Sequence, residues 1–235
     1  MRIGLLSDIH GNFIALQAVL KDMERQAVDS IICLGDIATL GPQPKEVVET
    51  VKGLDCPCIM GNHESALLDM GNVSAHQIAP SLVPALEWCL TQLEPEDLDY
   101  FRSFKSTLEV SVEGSVNLLY FHGSPRSNID QIQSTTPAGE LERFFDPHQP
   151  DVFIGGHTHI PMLRHYDGKL IVNPGSVGSA FRSVFNPGTP PTVMPWAEYA
   201  VMEVGGGVIS VDLRRIPFDV NEFNRIVSQS GIPIS

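Results

Sequence analysis

The sequence predicts an α/β fold in which two β-sheets share one core and helices lie outside them. The first third of the chain alternates short apolar runs with amphipathic segments in the order β-α-β-α-β. That order is typical of parallel strands joined by right-handed crossovers. Further along, apolar residues alternate with polar ones as in antiparallel hairpins. Glycine and proline supply 20 and 18 of the 235 residues, which favours many turns over a helical bundle.

The amino-terminal half contains three short strands and several helices. Apolar runs predict strands at 2–6, 30–34 and 57–60. Apolar residues at helical spacing predict helices at 12–25 and 45–52 between these strands. The other helices of this half are predicted near residue 64, at 74–93 and at 96–104.

The carboxyl-terminal half is mainly β. Alternating apolar residues on either side of Glu113-Gly114-Ser115 predict a hairpin of strands 108–112 and 116–120. Helices are predicted at 139–145 and 220–227. The remaining strands of this half are predicted at 152–154, 162–165, 170–172, 197–204 and 208–214.

Composition restricts the classes of function. Lys and Arg total 15 against 28 Asp and Glu, so the formal net charge is −13. A surface this acidic disfavours contact with nucleic acid or anionic lipid. The longest stretch without these charged residues, 70–86, contains two prolines and is shorter than the roughly 20 apolar residues that a membrane span needs. With Asp8 so near the start, the sequence predicts a cytoplasmic protein with no membrane segment, forming one domain over 1–235.

The four cysteines are too few and too scattered for a disulfide scaffold. Cys56 and Cys58 flank one proline, a spacing that suits a zinc clip only where two more soft ligands lie nearby. No such pair is visible in the sequence. Buried or inert thiols are therefore the favoured interpretation.

Residues able to bind metal follow the predicted strands. The carboxyl ends of parallel strands meet at one edge of a sheet, so we expect these residues to converge. Carboxylate, imidazole and amide ligands without a thiolate suit Mn²⁺, Fe or Zn²⁺. The clusters are Asp8-Ile9-His10-Gly11-Asn12, Gly35-Asp36, Gly61-Asn62-His63-Glu64, Phe121-His122-Gly123 and Gly155-Gly156-His157-Thr158-His159.

In order and spacing, these five blocks resemble the D-x-H, G-D, G-N-H-[D/E], H, G-H-x-H pattern of the calcineurin-like metallophosphoesterase superfamily. The later run Asn-Pro-Gly-Ser-Val-Gly at 173–178 is similar to the small bacterial and archaeal phosphodiesterase branch. The resemblance implies a four-layer α/β/β/α sandwich of two mixed β-sheets flanked by helices. It also implies a site for two divalent metal ions, with Mn²⁺ favoured and Fe, Zn²⁺ or Ni²⁺ as alternatives.

The resemblance further implies a role for each motif residue. His63 and Asp36 are the expected catalytic residues, with His63 assisting the leaving oxygen and a hydroxide shared by the two metals attacking phosphorus. Two divalent ions with two aspartates and one hydroxide leave a net positive charge that can hold a phosphate ester. The implied ligands are Asp8, His10, Asp36 and His159 for the first metal and Asp36, Asn62, His122 and His157 for the second.

Residues near the motifs have open interpretations. Asn12 is either a substrate contact or a helix N-cap, because Asn is a favoured capping residue. Arg126 and Arg182 are candidate phosphate contacts, although most arginines are simply solvated. Glu64 is expected to serve the positive end of the following helix. Substrate identity is expected to depend on loops such as 70–84 and 179–196, which carry no readable code.

The leading hypothesis is hydrolysis of a small phosphodiester, with a nucleotide among the candidate substrates. Thr39 and Leu40 stand where Ser/Thr protein phosphatases carry an acid and an arginine, which argues against phosphoprotein substrates. A phosphomonoesterase or a dinucleoside polyphosphate hydrolase is the alternative within the same chemistry. A non-catalytic metal-binding scaffold module is the alternative from another class. Nucleic-acid substrates are disfavoured, and a homo-oligomer stays open.

Overall fold

Two mixed β-sheets lie face to face, with helices against the outer face of each. The computed structural model describes residues 1–112, 116–184 and 191–233. Apolar side chains of both sheets meet between them, among them Ile3, Leu5, Tyr120, Ile154 and Met202. The expected α/β fold with two flanked, mixed sheets is confirmed.

The first sheet has four strands in the order β2-β1-β8-β9. They are β1 (Arg2–Leu6), β2 (Ser30–Cys33), β8 (Trp196–Gly205) and β9 (Val208–Pro217). β1 runs parallel to β2 and antiparallel to β8, so a strand from the end of the chain closes beside the first one. The sheet therefore joins the two ends of the sequence.

The second sheet has five strands in the order β3-β4-β5-β7-β6. They are β3 (Leu108–Val112), β4 (Val116–Tyr120), β5 (Val152–Ile154), β6 (Met162–Tyr166) and β7 (Lys169–Asn173). β4, β5 and β7 are parallel to one another, while β3 and β6 pair antiparallel at the two edges.

The helices divide between the two outer faces. Helices of the amino-terminal half pack on the first sheet through residues such as Leu16, Val19 and Val47. On the second sheet, the Phe145 ring stacks on Phe153 with centroids 3.7 Å apart. No helix in the described part of the chain is long and apolar enough to cross a membrane. The α-helices are α1 (Phe13–Gln26), α2 (Pro44–Gly53), α3 (Asn62–Leu68), α4 (Val83–Gln92), α5 (Pro95–Arg102), α6 (Ala138–Phe145) and α7 (Val220–Ser230).

One predicted element is wrong, and another is confirmed only in its second half. Instead of a strand at 57–60, the structure has isolated β-bridges from Cys58 and Ile59, because Pro57 has no N–H to extend the ladder. Instead of one helix at 74–93, two short 3₁₀ helices at 70–76 and 80–82 precede α4. Proline inside a helix removes a hydrogen bond and clashes with the preceding turn. The predicted hairpin turn at 113–115 and part of the 179–196 loop, 185–190, lie outside the described residues.

Asp97 joins α5 to α2. Its carboxylate is buried and accepts hydrogen bonds from the Lys45 ammonium (2.8 Å), the Lys52 ammonium (2.5 Å) and the Glu94 N–H (2.9 Å). Burial raises the pKa of Asp97, but these donors outweigh it and lower the pKa to about 2. The folded state therefore binds the ionised form more strongly than the unfolded chain does.

We expect Asp97→Asn to lower the free energy of unfolding by about 1–2 kcal/mol at pH 7. In the wild type this stabilisation is present above the ordinary pKa and is lost as the pH falls toward 2. Urea unfolding at pH 7 and at pH 3 measures the difference. Asp99→Asn, on the same helix with a 75% exposed side chain, is the matched control and should change stability by less than about 0.5 kcal/mol. An equal effect of the two variants at pH 7 would contradict the prediction.

Candidate metal centre

Eight polar side chains converge in the loops beyond the carboxyl ends of the strands. Asp8 and His10 follow β1, Asp36 follows β2, His122 follows β4 and His157 follows β5. The parallel arrangement of β1 with β2 and of β4 with β5 brings the loops to one edge of each sheet, and the two edges meet through the contacts of His122 with Asp36 and of His159 with Asp8. All eight are buried except His157, which is half-buried. The other three members are Asn62, His63 and His159.

Five of these residues have a left-handed backbone. Asp8, His10, Asp36, His157 and His159 have φ between 47° and 66°. Such values are uncommon for residues other than glycine and persist only where the surrounding structure enforces them. Backbone strain is therefore concentrated at the residues that the sequence singles out.

The first group consists of Asp8, His10 and His159, whose ligand atoms lie within 4.8 Å of one another. His159 Nε2 is 3.2 Å from Asp8 Oδ1 and 3.1 Å from His10 Nε2. The other oxygen of Asp8, Oδ2, accepts hydrogen bonds from the Ser7 hydroxyl and the His157 N–H. Oδ1 is thereby left facing the two imidazoles.

The second group consists of Asp36, His122 and His157, whose ligand atoms also lie within 4.8 Å of one another. His122 Nε2 is 3.4 Å from Asp36 Oδ2 and 3.3 Å from Asn62 Oδ1. Asp36 Oδ2 is also 3.9 Å from His10 Nε2 in the first group. Asp36 therefore lies between the two groups, as the resemblance implies for a bridging ligand.

The donor atoms face one another in a way that fits bound cations. His122 Nδ1 and His159 Nδ1 each donate to a backbone carbonyl, of Leu34 (2.6 Å) and Ser179 (2.7 Å). In the neutral rings, Nε2 then carries a lone pair that points at a carboxylate oxygen. Only a proton or a cation between them makes that contact favourable. Asp8 Oδ1 and His157 Nε2 are buried without a hydrogen-bond partner among the described residues.

Burial and the neighbouring charged groups shift the pKa values of these histidines in opposite directions. Burial lowers the pKa of His122, but the Asp36 carboxylate outweighs this and raises it to about 10. Burial and the neighbouring imidazoles His159 and His63 lower the pKa of His10 to about 3. Burial and His122 lower the pKa of His157 to about 4. His10 and His157 are thus neutral at pH 7, the form that binds metal.

Thr39 connects two of the histidines. Its hydroxyl lies 2.8 Å from His63 Nδ1 and 3.4 Å from His10 Nδ1. If His10 Nδ1–H donates to Thr39 Oγ1, the hydroxyl proton is free to donate to His63 Nδ1. This order leaves a lone pair on His10 Nε2 and a proton on His63 Nε2. The sequence had marked Thr39 only as a departure from protein phosphatases.

His63 lies beside both groups. Its Nε2 is 4.0 Å from Asp36 Oδ2, and its N–H donates to Asp36 Oδ1 (3.0 Å). Together with His10 and Asp36 it forms a third group of close ligand atoms. Distances alone therefore leave His63 two roles, metal ligand or contact with the substrate.

Glu64 has a larger role than its position in a helix indicates. Its two oxygens accept the N–H groups of Asp36 (2.7 Å), Ile37 (2.7 Å) and Gly61 (3.1 Å). Burial, and then the charge of Asp36, raise the pKa of Glu64 to about 8. The sequence assigned Glu64 to the start of α3, and the Gly61 contact agrees. Its bonds to the Asp36 loop carry no sequence signal.

Three further contacts hold the loop before α3. A Cβ at Gly61 would overlap Asp36 Oδ1, so no larger residue fits. Asn128 Nδ2 donates to the Gly61 carbonyl (3.0 Å) and to Ser65 Oγ (2.8 Å). Asn62 Nδ2 donates to the carbonyl of His76 (3.0 Å), which directs its Oδ1 toward His122.

The three candidate substrate residues have different surroundings. Asn12 is buried, caps α1 through Ala15 N–H (3.0 Å) and donates to the Gly178 carbonyl (3.1 Å), so the capping interpretation is confirmed. Arg126 is exposed and donates to the Arg143 carbonyl at the end of α6 (3.1 Å). Arg182 is exposed and follows Phe181, whose ring stacks on His159 with centroids 4.3 Å apart. Phe181 was not anticipated from the sequence.

Comparison with known proteins identifies relatives over the whole chain. The uncharacterized protein MJ0912 of Methanocaldococcus jannaschii is 25% identical over 236 residues, which cover 98% of this chain and 93% of that protein. The crystal structure of a metallophosphoesterase from Sphaerobacter thermophilus matches with a TM-score of 0.76 and 28% identity, over 99% of this chain and 95% of that one. The hypothetical protein PH1004 of Pyrococcus horikoshii has the same fold, with a TM-score of 0.81 and 22% identity, over 99% and 94%.

The family match agrees with the geometry of the site. The model of the calcineurin-like phosphoesterase superfamily domain matches residues 1–204. This range contains every residue of the two metal-competent groups. The chain belongs to the calcineurin-like phosphoesterase superfamily.

Proposed function

We propose that this protein hydrolyses a small phosphodiester with the help of two divalent cations. The observation that carries the proposal is the pair of His/Asp groups with Asp36 between them. Asp8, His10, Asp36 and His159 would hold the first cation. Asp36, Asn62, His122 and His157 would hold the second.

The donor set supports hard or borderline cations. Two carboxylates, four imidazoles and one amide oxygen, with no thiolate, suit Mn²⁺ first and Fe, Zn²⁺ or Ni²⁺ as alternatives. When bound, such a pair supplies a nucleophile at neutral pH and neutralises charge on the phosphate. Asn62 contributes an uncharged ligand, so the loaded site keeps a net positive charge despite the acidity of the whole chain.

His63 is proposed to act on the leaving group. Hydrogen bonding from Thr39 to Nδ1 leaves the proton on Nε2, beside Asp36. Burial lowers the pKa of His63, so a neutral ring donating a hydrogen bond is the favoured form. Such a donor stabilises negative charge on the departing oxygen.

The side chains near the two groups favour a phosphodiester substrate over a phosphomonoester. A monoester dianion carries one more negative charge, for which Arg is the usual bidentate partner. Of the two candidate arginines, Arg126 turns to the Arg143 carbonyl and Arg182 is exposed. The third and fourth positions after Asp36 hold Thr39 and Leu40. Phosphomonoesters and dinucleoside polyphosphates are the alternatives with the same cations.

A non-catalytic scaffold is the alternative from another class. A scaffold protein would have no use for a histidine that donates a hydrogen bond to a leaving group, or for a residue such as Thr39 that sets the tautomer of that histidine. The hydrogen bonds among His10, Thr39 and His63 are intact here, which supports an enzyme. The proposed localisation is the cytoplasm, and the proposed partner is a small phosphate ester.

The first experiment compares a diester with a monoester. Metal-stripped protein reloaded with Mn²⁺ should hydrolyse bis-p-nitrophenyl phosphate faster than p-nitrophenyl phosphate. Asp36→Asn should reduce diester turnover by at least about 100-fold, because it weakens both cation sites. Asp99→Asn, exposed on α5, should leave turnover unchanged. Faster monoester hydrolysis would reject the diester assignment, and loaded protein inactive on diesters, monoesters and dinucleoside polyphosphates would reject the enzyme.

His63→Asn tests the leaving-group role. We expect kcat to fall by about 10²–10⁴-fold for a diester with an alkyl leaving group. The loss should be smaller for p-nitrophenol, which departs readily without help. His165→Asn, at an exposed histidine on β6, is the control. A loss of bound metal, measured by elemental analysis, together with equal kcat losses on both substrates would instead make His63 a ligand.

Thr39→Val tests whether the hydroxyl sets the tautomers of His10 and His63. The substitution keeps the volume and removes the hydrogen bonds. We expect kcat to fall by about 10-fold or more with bound metal retained, and Thr39→Ser to restore most of it. Equal kcat values for the Val and Ser variants would show that the hydroxyl has no such role.

A further inference from the structure

Three of the four cysteines meet away from the metal centre. Cys33, the last residue of β2, is bridged to Cys58 in parallel register. The Cys33 N–H donates to the Pro57 carbonyl (3.0 Å), and the Ile59 N–H donates to the Cys33 carbonyl (2.8 Å). Partners in register on neighbouring strands direct their side chains to the same face. Cys33 and Cys58 accordingly share one apolar cluster under the helices.

Cys58 is the central thiol of the three. Its Sγ lies 3.4 Å from the Tyr100 hydroxyl and donates to the Cys56 carbonyl (3.5 Å). The neighbouring Cys33 thiol, followed by Cys56, lowers the pKa of the Cys58 thiol. The neighbouring Cys58, together with burial, raises the pKa of Cys33 and of Cys56.

A small cavity gives access to Cys58. It has a volume of about 180 Å³ and is lined by Cys56, Cys58, Tyr100 and Lys105, among others. Cys58 is 7% exposed, whereas Cys33 is completely buried. A small oxidant can therefore reach Cys58 directly and Cys33 only through it.

We propose that Cys58 is a modification site for hydroperoxides, and that Cys33 converts the oxidised product into a Cys33–Cys58 disulfide. In the first step the Cys58 thiolate attacks a peroxide oxygen, the O–O bond breaks and the departing oxygen takes up a proton, leaving as water when the oxidant is hydrogen peroxide. Cys58 becomes a sulfenic acid. The Cys33 thiol then attacks its sulfur, the S–O bond breaks and a second water departs with the thiol proton.

Backbone geometry favours Cys33 over Cys56 as the partner. Neighbouring strands lie about 4.8 Å apart, within the roughly 4.4–6.8 Å between Cα atoms that a disulfide spans. Cys56 and Cys58 are separated by one proline, and a disulfide between them would close a small ring. The Cys33–Cys58 bond would join the segments that continue into Asp36 and into Asn62.

Peptide mapping of the whole protein tests the proposal. After treatment with hydrogen peroxide, unfolding and alkylation, the number of free thiols should fall from four to two, with the mass lower by two hydrogens. Trypsin cleaves after Lys45 and Lys52, so it separates Cys33 from Cys58. The expected product is a cross-linked pair of peptides that dithiothreitol releases.

Variants identify the sulfur atoms. Cys56→Ser should still form the cross-link. Cys33→Ser should not, and its Cys58 should instead be trapped as a sulfenic acid by dimedone. Cys89→Ser, at a buried cysteine on α4 that is not one of these three thiols, is the control and should form the cross-link as the wild type does.

Two results would overturn the proposal, and both come from the wild-type protein. One is four alkylated thiols after peroxide treatment. The other is a disulfide confined to the peptide that contains both Cys56 and Cys58. Neither measurement depends on catalysis or on bound metal, so the outcome is independent of the proposed function.

Discussion

Glu64 accepts hydrogen bonds from the backbone N–H groups of Asp36, Ile37 and Gly61, and through them one carboxylate ties the loop after β2 to the start of α3. The close approach that results requires a glycine at 61. It also places the His63 N–H on Asp36 Oδ1 (3.0 Å), so that Oδ2 alone faces the imidazoles. The position of the Asp36 carboxylate, the proposed bridging ligand, therefore depends on the buried Glu64 side chain, which is not among the proposed ligands.

The same arrangement would allow an acidic protein to hold the phosphate ester that we propose as its substrate. Asp8 and Asp36 are buried, and their pKa values are held below the ordinary range by neighbouring histidines, against the effect of burial. Negative charge at the bottom of the site attracts cations, and neutral ligands such as Asn62 and His157 complete the set. Under the proposed function, bound metal would supply locally the positive charge that a phosphate needs, independently of the −13 of the whole chain.

Most of the fold could be predicted from apolar periodicity, because nearly every strand and helix has a buried face. The prediction failed at residues 57–60 and 74–82, where prolines interrupt the backbone hydrogen bonding of otherwise apolar segments. The residues of the site could be singled out because Asp, His and Asn follow strands at fixed spacing. The contacts of Thr39 with the histidines and of Glu64 with the Asp36 loop could not be predicted, because these partners are distant in sequence and are brought together only by the packing of α3 against the loop after β2.

The location of Cys33 and Cys58 follows from the same packing. Cys33 ends the strand that leads to Asp36, and Cys58 lies in the segment that leads to Asn62 and His63. The register of these two segments sets the position of Asp36 relative to Asn62 and His63. A short β-bridge with one proline is a weak connection for holding that register, since its ladder has few hydrogen bonds. A covalent bond between the two cysteines would fix the register at the point where the backbone supports it least.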